Sequence, residues 1–430
     1  MAVVGVDFGN LNCYISVARA GGIETIANDY SQRDTPSVVG FSDKQRIMGV
    51  GAKNQLLTNL KRTVFNFKHM LGRKFKDPYV QETIKGLPYE ISEGPQGEIR
   101  IKIPYMGQER TFTPEEVTAM LLTKLKETAE EALKTKVKDI VISVPAYFVD
   151  SERRALLDAA TIAGLNVLKL MNDTTATALA YGIYKQDLPA PEEKARNVIF
   201  VDVGHVGVQV AAASFNKGKL VMKATTFDRN NCGGRMFDKA LVKYFAEDFK
   251  SKTKMDPHTK PRSILKLETE VEKVKKQMSA NTNKLPLNIG KSLQKLKRPF
   301  FVNTLLILPF FSECFMEERD LNGRIDRATF EDLVSNELQR IEQVMVECLK
   351  ASEWKTEDIY SVEIVGGSSR VPAIKASIEK VFGKAPQTTL NADEAVSRGC
   401  ALQCAILSPT FRVREFSVTD LQVSPRKFIR

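Results

Sequence analysis

The strongest constraint on the fold is a pattern that this chain carries twice. Val3-Val4-Gly5-Val6-Asp7-Phe8-Gly9 and Val198-Ile199-Phe200-Val201-Asp202-Val203-Gly204 are both apolar, β-branched runs that end in Asp-x-Gly. A strand ending this way can do two jobs: the glycine lets backbone N–H groups approach phosphate oxygens, and the carboxylate can hold a hydrated Mg²⁺. A single copy would read as an ordinary hairpin turn. Two copies, each fed by a hydrophobic strand, imply two turns facing each other across a cleft. A second echo follows each: Asn172-Asp173-Thr174-Thr175-Ala176 leads to Ala180-Tyr181-Gly182, and Asn391-Ala392-Asp393-Glu394-Ala395 leads to Arg398-Gly399-Cys400. The chain therefore begins the same fold twice, and each half closes with an Asn/Asp-led helix.

Between these landmarks the periodicity predicts a strand over 140–144, a helix over 151–163, a strand over 362–365 and a helix over 372–382. Helices alternating with apolar strands predict an α/β architecture with mixed sheets. Pro189, Pro191 and the charges around them interrupt any pattern over 186–196, which places the lobe boundary there. The expected division is lobe I over 1–187, closed by 372–408, lobe II over 188–371, and a short linker-like tail over 409–430.

A third turn strengthens the phosphate reading. Ile364-Val365-Gly366-Gly367-Ser368-Ser369-Arg370 runs from a buried strand through a Gly-Gly turn into a helix start, where free N–H groups favour an anion or a purine edge. Gly233-Gly234 is a weaker relative of it. Glu272, Lys275, Lys276 and Ser279 fall on one face of a helix over 265–278, a spacing that by itself describes a solvated stripe. Lys68 lies in a segment read as helical ahead of Gly72, within reach of a phosphate but not singled out by spacing.

Composition excludes several alternatives. The chain has 430 residues, 43% of them hydrophobic, which is ample for two packed lobes. Its net charge of +11 favours anionic ligands, but the charge is scattered and no nucleic-acid reader motif accompanies it. The six cysteines form no CxxC pair and read as buried free thiols of a reducing compartment. No basic leader opens the chain, which points to the cytoplasm. The most apolar stretch, 299–312, is too short and too broken by Pro299, Asn303 and Pro309 to span a bilayer. His69, His205 and His258 are too dispersed for structural zinc.

At these turns the sequence resembles the heat-shock-protein-70 superfamily, from Val3 to about Asp420. Tyr181-Gly182-Ile183-Tyr184-Lys185-Gln186-Asp187-Leu188-Pro189 and Val413-Arg414-Glu415-Phe416-Ser417-Val418-Thr419-Asp420, with residues 20–28, 388–396 and 400–409, resemble its heat-shock-protein-110 branch. The resemblance implies a duplicated, two-lobed actin-like (ribonuclease H-like) ATPase fold with a central nucleotide cleft, and ATP with Mg²⁺ as cofactors. It implies that Gly9, Asn10, Leu11 and Asn12 form the first phosphate loop and Gly204, His205, Val206 and Gly207 the second. Gly366, Gly367, Ser368 and Arg370 would belong to the adenosine loop. Asp7 and Asp202 would be the acidic pair near the metal, acting through water. Lys68, Asp202 and Asp173 would carry what catalysis there is, and Glu272, Lys275, Lys276 and Ser279 would contact adenosine.

Departures from the family pattern bear on activity. Hydrolysing members carry Gly-Gly-Gly-Thr where Gly204-His205-Val206-Gly207 stands here, Gln209 replaces a carboxylate, Asn10-Leu11 replaces two threonines, and Asp173 replaces a glutamate. Positioning supplies most of phosphoryl-transfer catalysis, so losing several oriented groups predicts weak hydrolysis with binding retained. The branch implies a nucleotide exchange factor whose partner is a heat-shock protein 70; an active ATP-hydrolysing chaperone or an inactive shortened isoform are the alternatives. Residues 290–312 form an insert foreign to the pattern, expected to disturb the strand it interrupts. The substrate-binding sandwich and lid do not follow Asp420, so peptide holding is not expected. The implied location is cytoplasmic, with the nucleus left open as a second compartment.

Overall fold

The computed structural model describes residues 3–19, 22–229, 231–290, 314–408 and 416–421. The chain separates into two compact units, Met1–Arg235 with Glu337–Arg430, and Met236–Asn336. The boundary expected at 187/188 falls inside the first unit, where the proline-bearing stretch 186–196 simply joins a helix to a strand.

The first unit is built on two sheets of matching plan. β1 (Val4–Asp7), β2 (Asn12–Arg19) and β3 (Gly22–Thr25) form an antiparallel meander. β4 (Asp139–Val144) joins β1 in parallel, with Val4 opposite Ile140. After α1 (Asp150–Ile162), β5 (Asn166–Asn172) pairs in parallel with β4 and runs into α2 (Asp173–Gly182). The sequence then repeats the plan. β6 (Arg196–Val203), β7 (Val208–Asn216) and β8 (Lys219–Asp228) form the second meander, and β9 (Ser361–Val365) joins β6 in parallel, as β4 joins β1. A parallel bridge between Glu363 and Gln387 takes the place of the β4–β5 pairing. α3 (Pro372–Phe382) and α4 (Ala395–Leu407) follow, and β10 (Ser417–Thr419) covers the β8 edge. The duplication expected from the two Asp-x-Gly strands is therefore present in the four strands β1–β4 and β6–β9.

Local chemistry explains these elements. β1, β4, β6 and β9 are parallel-paired strands with little exposed on either face, which is why they read as continuous apolar runs rather than alternating ones. α3 begins on Pro372, whose missing N–H costs nothing there, and stops at Gly383, left-handed at φ 65°. α2 and α4 approach so closely that a Cβ on Gly399 would lie 1.9 Å from the Ala176 carbonyl oxygen, and one on Gly5 would lie 2.0 Å from the Ala401 nitrogen. Phe200, Tyr181 and Phe215 pack edge-on beside them at centroid distances of 5.4–6.2 Å. Such fully buried aromatic and aliphatic side chains each contribute about 1.5–3 kcal/mol by leaving water. All six cysteines are free, five of them buried, and burial pushes the Cys13 thiol up to about 11.

The second unit packs helix Pro261–Ala280 and most of helix Gly234–Thr253 with a two-stranded ladder, Leu285–Ile289 against Leu321–Ile325. Phe237 meets Phe330 and Phe249 meets Phe315 edge-on. The insert expected over 290–312 lies, except for Gly290, outside the described residues. The ladder beside it keeps all of its pairs from Leu285–Ile325 to Ile289–Leu321, so the expected loss of pairing does not reach it. Among the described residues, no helix is long and apolar enough to cross a membrane.

Candidate functional site

Asp7 ends β1 and Asp202 lies one residue before the end of the equivalent β6, and the matching plan of the two sheets brings them together. Asp7 pairs across the hairpin with Tyr14, and Asp202 with Gln209 on one side and Val365 on the other. Burial is the main cause that pushes the Asp7 carboxyl up to about 8; Asp173 and Asp202 add repulsion, while Lys68 and a 3.4 Å contact from Ser143 Oγ oppose it. Burial likewise raises Asp202 to about 7, with Asp173 adding to the rise and Lys68 opposing it. Burial and mutual repulsion therefore favour the protonated form of this pair when no ligand is bound, and a divalent cation would draw out the ionised form.

Lys68 is held by aromatic walls. Its ammonium donates to the Phe8 carbonyl, between Asp7 and Gly9, and lies 5.0 Å from the Phe8 ring centroid and 5.6 Å from that of Phe148. The segment expected to be helical here is a single 3-10 turn, Phe67–His69, entered through Asn66 in the left-handed region at φ 60°. That turn, rather than a helix face, carries the lysine inward.

The glycine turns are crowded where backbone must approach closely. A Cβ on Gly9 would meet the Asn12 carbonyl oxygen at 2.0 Å, and one on Gly207 would meet the Asp228 carbonyl oxygen at 2.4 Å. Gly366, at φ 81°, would drive a Cβ to 2.4 Å from Asp202 Oδ1. The second and third turns are joined, because Ser368 Oγ donates to the Gly204 carbonyl at 3.0 Å and Gly204 N–H donates to the Gly207 carbonyl at 3.0 Å. Gly234 and Arg235 N–H groups donate to the Gly204 and His205 carbonyls, so the weaker Gly233-Gly234 turn braces the second loop. Arg370 is paired with Asp393 at the rim. In the first loop, Ser37 N–H donates to the Leu11 carbonyl and Ser37 Oγ to the Gly9 carbonyl, each at 2.9 Å.

One observation fits a phosphate-and-cation ligand. Asp173 Oδ1 and Asn12 Oδ1 are buried without a hydrogen-bond partner, and unmet acceptors of this kind ask for a donor, hydrated cation or water. Among the described residues no three His, Cys, Asp or Glu side chains form a direct ligand set.

Glu272, Lys275, Lys276 and Ser279 belong to the second unit, where Glu272 pairs with Lys276 and Lys275 with Asp238, each at 2.7 Å. Two features escaped sequence reasoning. Gln209 bridges Ala146 and Asp173, and Glu152, fully buried, binds Arg73 and Arg229 together. Both join residues far apart in the chain, where no local spacing signals them.

Comparison with known proteins converges on one family. A family model described as Hsp70 protein matches residues 3–298 and 289–425, two segments that meet where the insert was expected to begin. The chain is 53% identical to Heat shock 70 kDa protein 4 of Rattus norvegicus over 425 residues, 99% of this chain and 48% of that protein. The Homo sapiens Heat shock 70 kDa protein 4 gives the same identity and coverage, and the 97 kDa heat shock protein of Strongylocentrotus purpuratus is 52% identical over 99% of this chain and 45% of its own length. The chain spans about half the length of these curated relatives. Its mixed, duplicated α/β architecture is the actin-like ATPase fold that the family resemblance implied. With a family match over nearly every residue and half of all aligned positions identical, the chain belongs to the Hsp70 family.

Proposed function

We propose that this chain is an ATP-binding domain of heat-shock-protein-110 type that promotes nucleotide exchange on a heat-shock protein 70 and hydrolyses ATP weakly or not at all. One observation carries the reading: Asp7, Asp202 and Lys68 converge beside the glycine turns, while the neighbouring position that would need a carboxylate for turnover holds the Gln209 amide. Gly9 to Asn12 and Gly204 to Gly207 would cradle the phosphates. Gly366, Gly367, Ser368 and Arg370 would border the adenosine, with Glu272, Lys275, Lys276 and Ser279 as its further contacts. Mg²⁺ would be held near Asp7 and Asp202 through water and would neutralise phosphate charge.

In this reading ATP is a structural ligand that adds RT ln(1 + [L]/Kd) to the partner-binding state. The test is ADP release from a purified heat-shock protein 70 with and without this chain plus ATP. Acceleration supports exchange activity, and an unchanged rate contradicts it. The retained Asp7, Asp202 and Lys68 favour one second reading, an active ATPase. Steady turnover abolished by Lys68→Met would establish it, whereas ATP binding without turnover supports the exchange factor.

A further inference from the structure

Gln209 stands on β7 opposite Asp202 and is nearly fully buried. Its side chain reaches from the second sheet to two points in the first half of the core. The Ala146 N–H, just beyond β4, donates to Oε1 at 2.7 Å, and Nε2 donates to Asp173 Oδ2 at 3.1 Å. These partners fix the amide's orientation, because the flipped amide would set two donors against each other at Ala146 and two acceptors at Asp173. A carboxylate at this position could serve Ala146 but would face Asp173 with like charge. An alkyl chain would serve neither.

Asp173 is the group that needs holding. It opens α2, is buried, and its other oxygen, Oδ1, has no partner. It also stands close enough to Asp7 and Asp202 to repel both. Left unrestrained, such a carboxylate would turn toward water and away from its like-charged neighbours.

We propose that Gln209 is a positioning residue: its amide pins the Asp173 carboxylate beside the Asp7–Asp202 pair and thereby sets how tightly the site holds a nucleoside triphosphate with its divalent cation. The proposal rests on the nucleotide-binding reading above. It also makes the identity of residue 209 a determinant of holding strength, because the amide ties the two sheets together at the cation position.

The experiment is a double-mutant cycle read by calorimetric titration of MgATP into the full chain, using Gln209→Met, Asp173→Ala and the pair. Methionine keeps the shape of the side chain and removes both hydrogen bonds, so folding, checked by circular dichroism, is preserved. Gln209→Met is expected to weaken MgATP about tenfold, the scale of one charge-assisted hydrogen bond. The double variant is expected to bind no more weakly than Asp173→Ala alone, since Gln209 acts through Asp173. Gln209→Asn, with a shorter amide that cannot span both partners, should not rescue. Affinity of Gln209→Met within twofold of the parent, or losses that add in the double variant, overturns the proposal. A parent chain that binds no MgATP overturns the nucleotide reading itself, so the two failures are distinguishable.

Discussion

At Gly366 a single methyl group is enough to disturb the site. Gly366→Ala would force a left-handed backbone and a Cβ onto Asp202 Oδ1 and the Val203 carbonyl, and is expected to cost about 2 kcal/mol or more in stability, read as a lower denaturant midpoint. Lys68→Met removes an ammonium that opposes the rise of both Asp7 and Asp202, and MgATP affinity should fall about tenfold or more by calorimetry. The acid pair also predicts a pH dependence. Asp7 and Asp202 titrate near 8 and 7 in the folded chain instead of an ordinary 3.8, so between about pH 4 and 8 the folded form binds more protons than the unfolded one. Stability of the nucleotide-free chain contributed by these groups is therefore full below pH 4 and lost as pH rises through 8. Thermal melts across this window should show it, and saturating MgATP should flatten the slope. Asp7 and Asp202 were legible in the sequence because each ends an apolar strand, and Asp173 because it opens an echoed motif. The role of Gln209 was not, since its partners lie 63 and 36 positions away.

Single elements stand out for the way they are tied to one another. Arg229, just past β8, reaches back to Glu152 on α1, which also binds Arg73; the Glu152 side chain is fully buried and that of Arg229 nearly so. Tyr79, Tyr147 and Phe148 surround the Arg229 guanidinium at 5.0–5.6 Å. Because the Gly207 turn packs on the Asp228–Arg229 backbone, this ion triad links the second glycine loop to the first half of the core. Removing one member of a buried pair leaves the rest uncompensated, so Glu152→Ala should cost about 3–5 kcal/mol in urea unfolding. α3 was readable to its ends from Pro372 and Gly383. The 3-10 turn at Lys68 was not, because its inward path depends on a left-handed Asn66 and on aromatic neighbours brought in from β1 and the β4–α1 connection.

On the scale of the whole molecule, the repeat of β1–β4 in β6–β9 is the organising fact, and it was visible because central strands leave uninterrupted apolar runs that an internal comparison detects. The unit over Met236–Asn336 was less legible, since its helices carry amphipathic patterns common to many surfaces, and the stripe at Glu272 to Ser279 acquired meaning only through family resemblance. The paired Asp-x-Gly turns are proposed to hold ATP with its cation. Isothermal titration of ATP with Mg²⁺ into the folded chain tests it most directly. The account predicts saturable heat at one site per chain, abolished when Asp7 and Asp202 are both replaced by asparagine; no heat with well-folded protein, or heat unchanged in that variant, would contradict it.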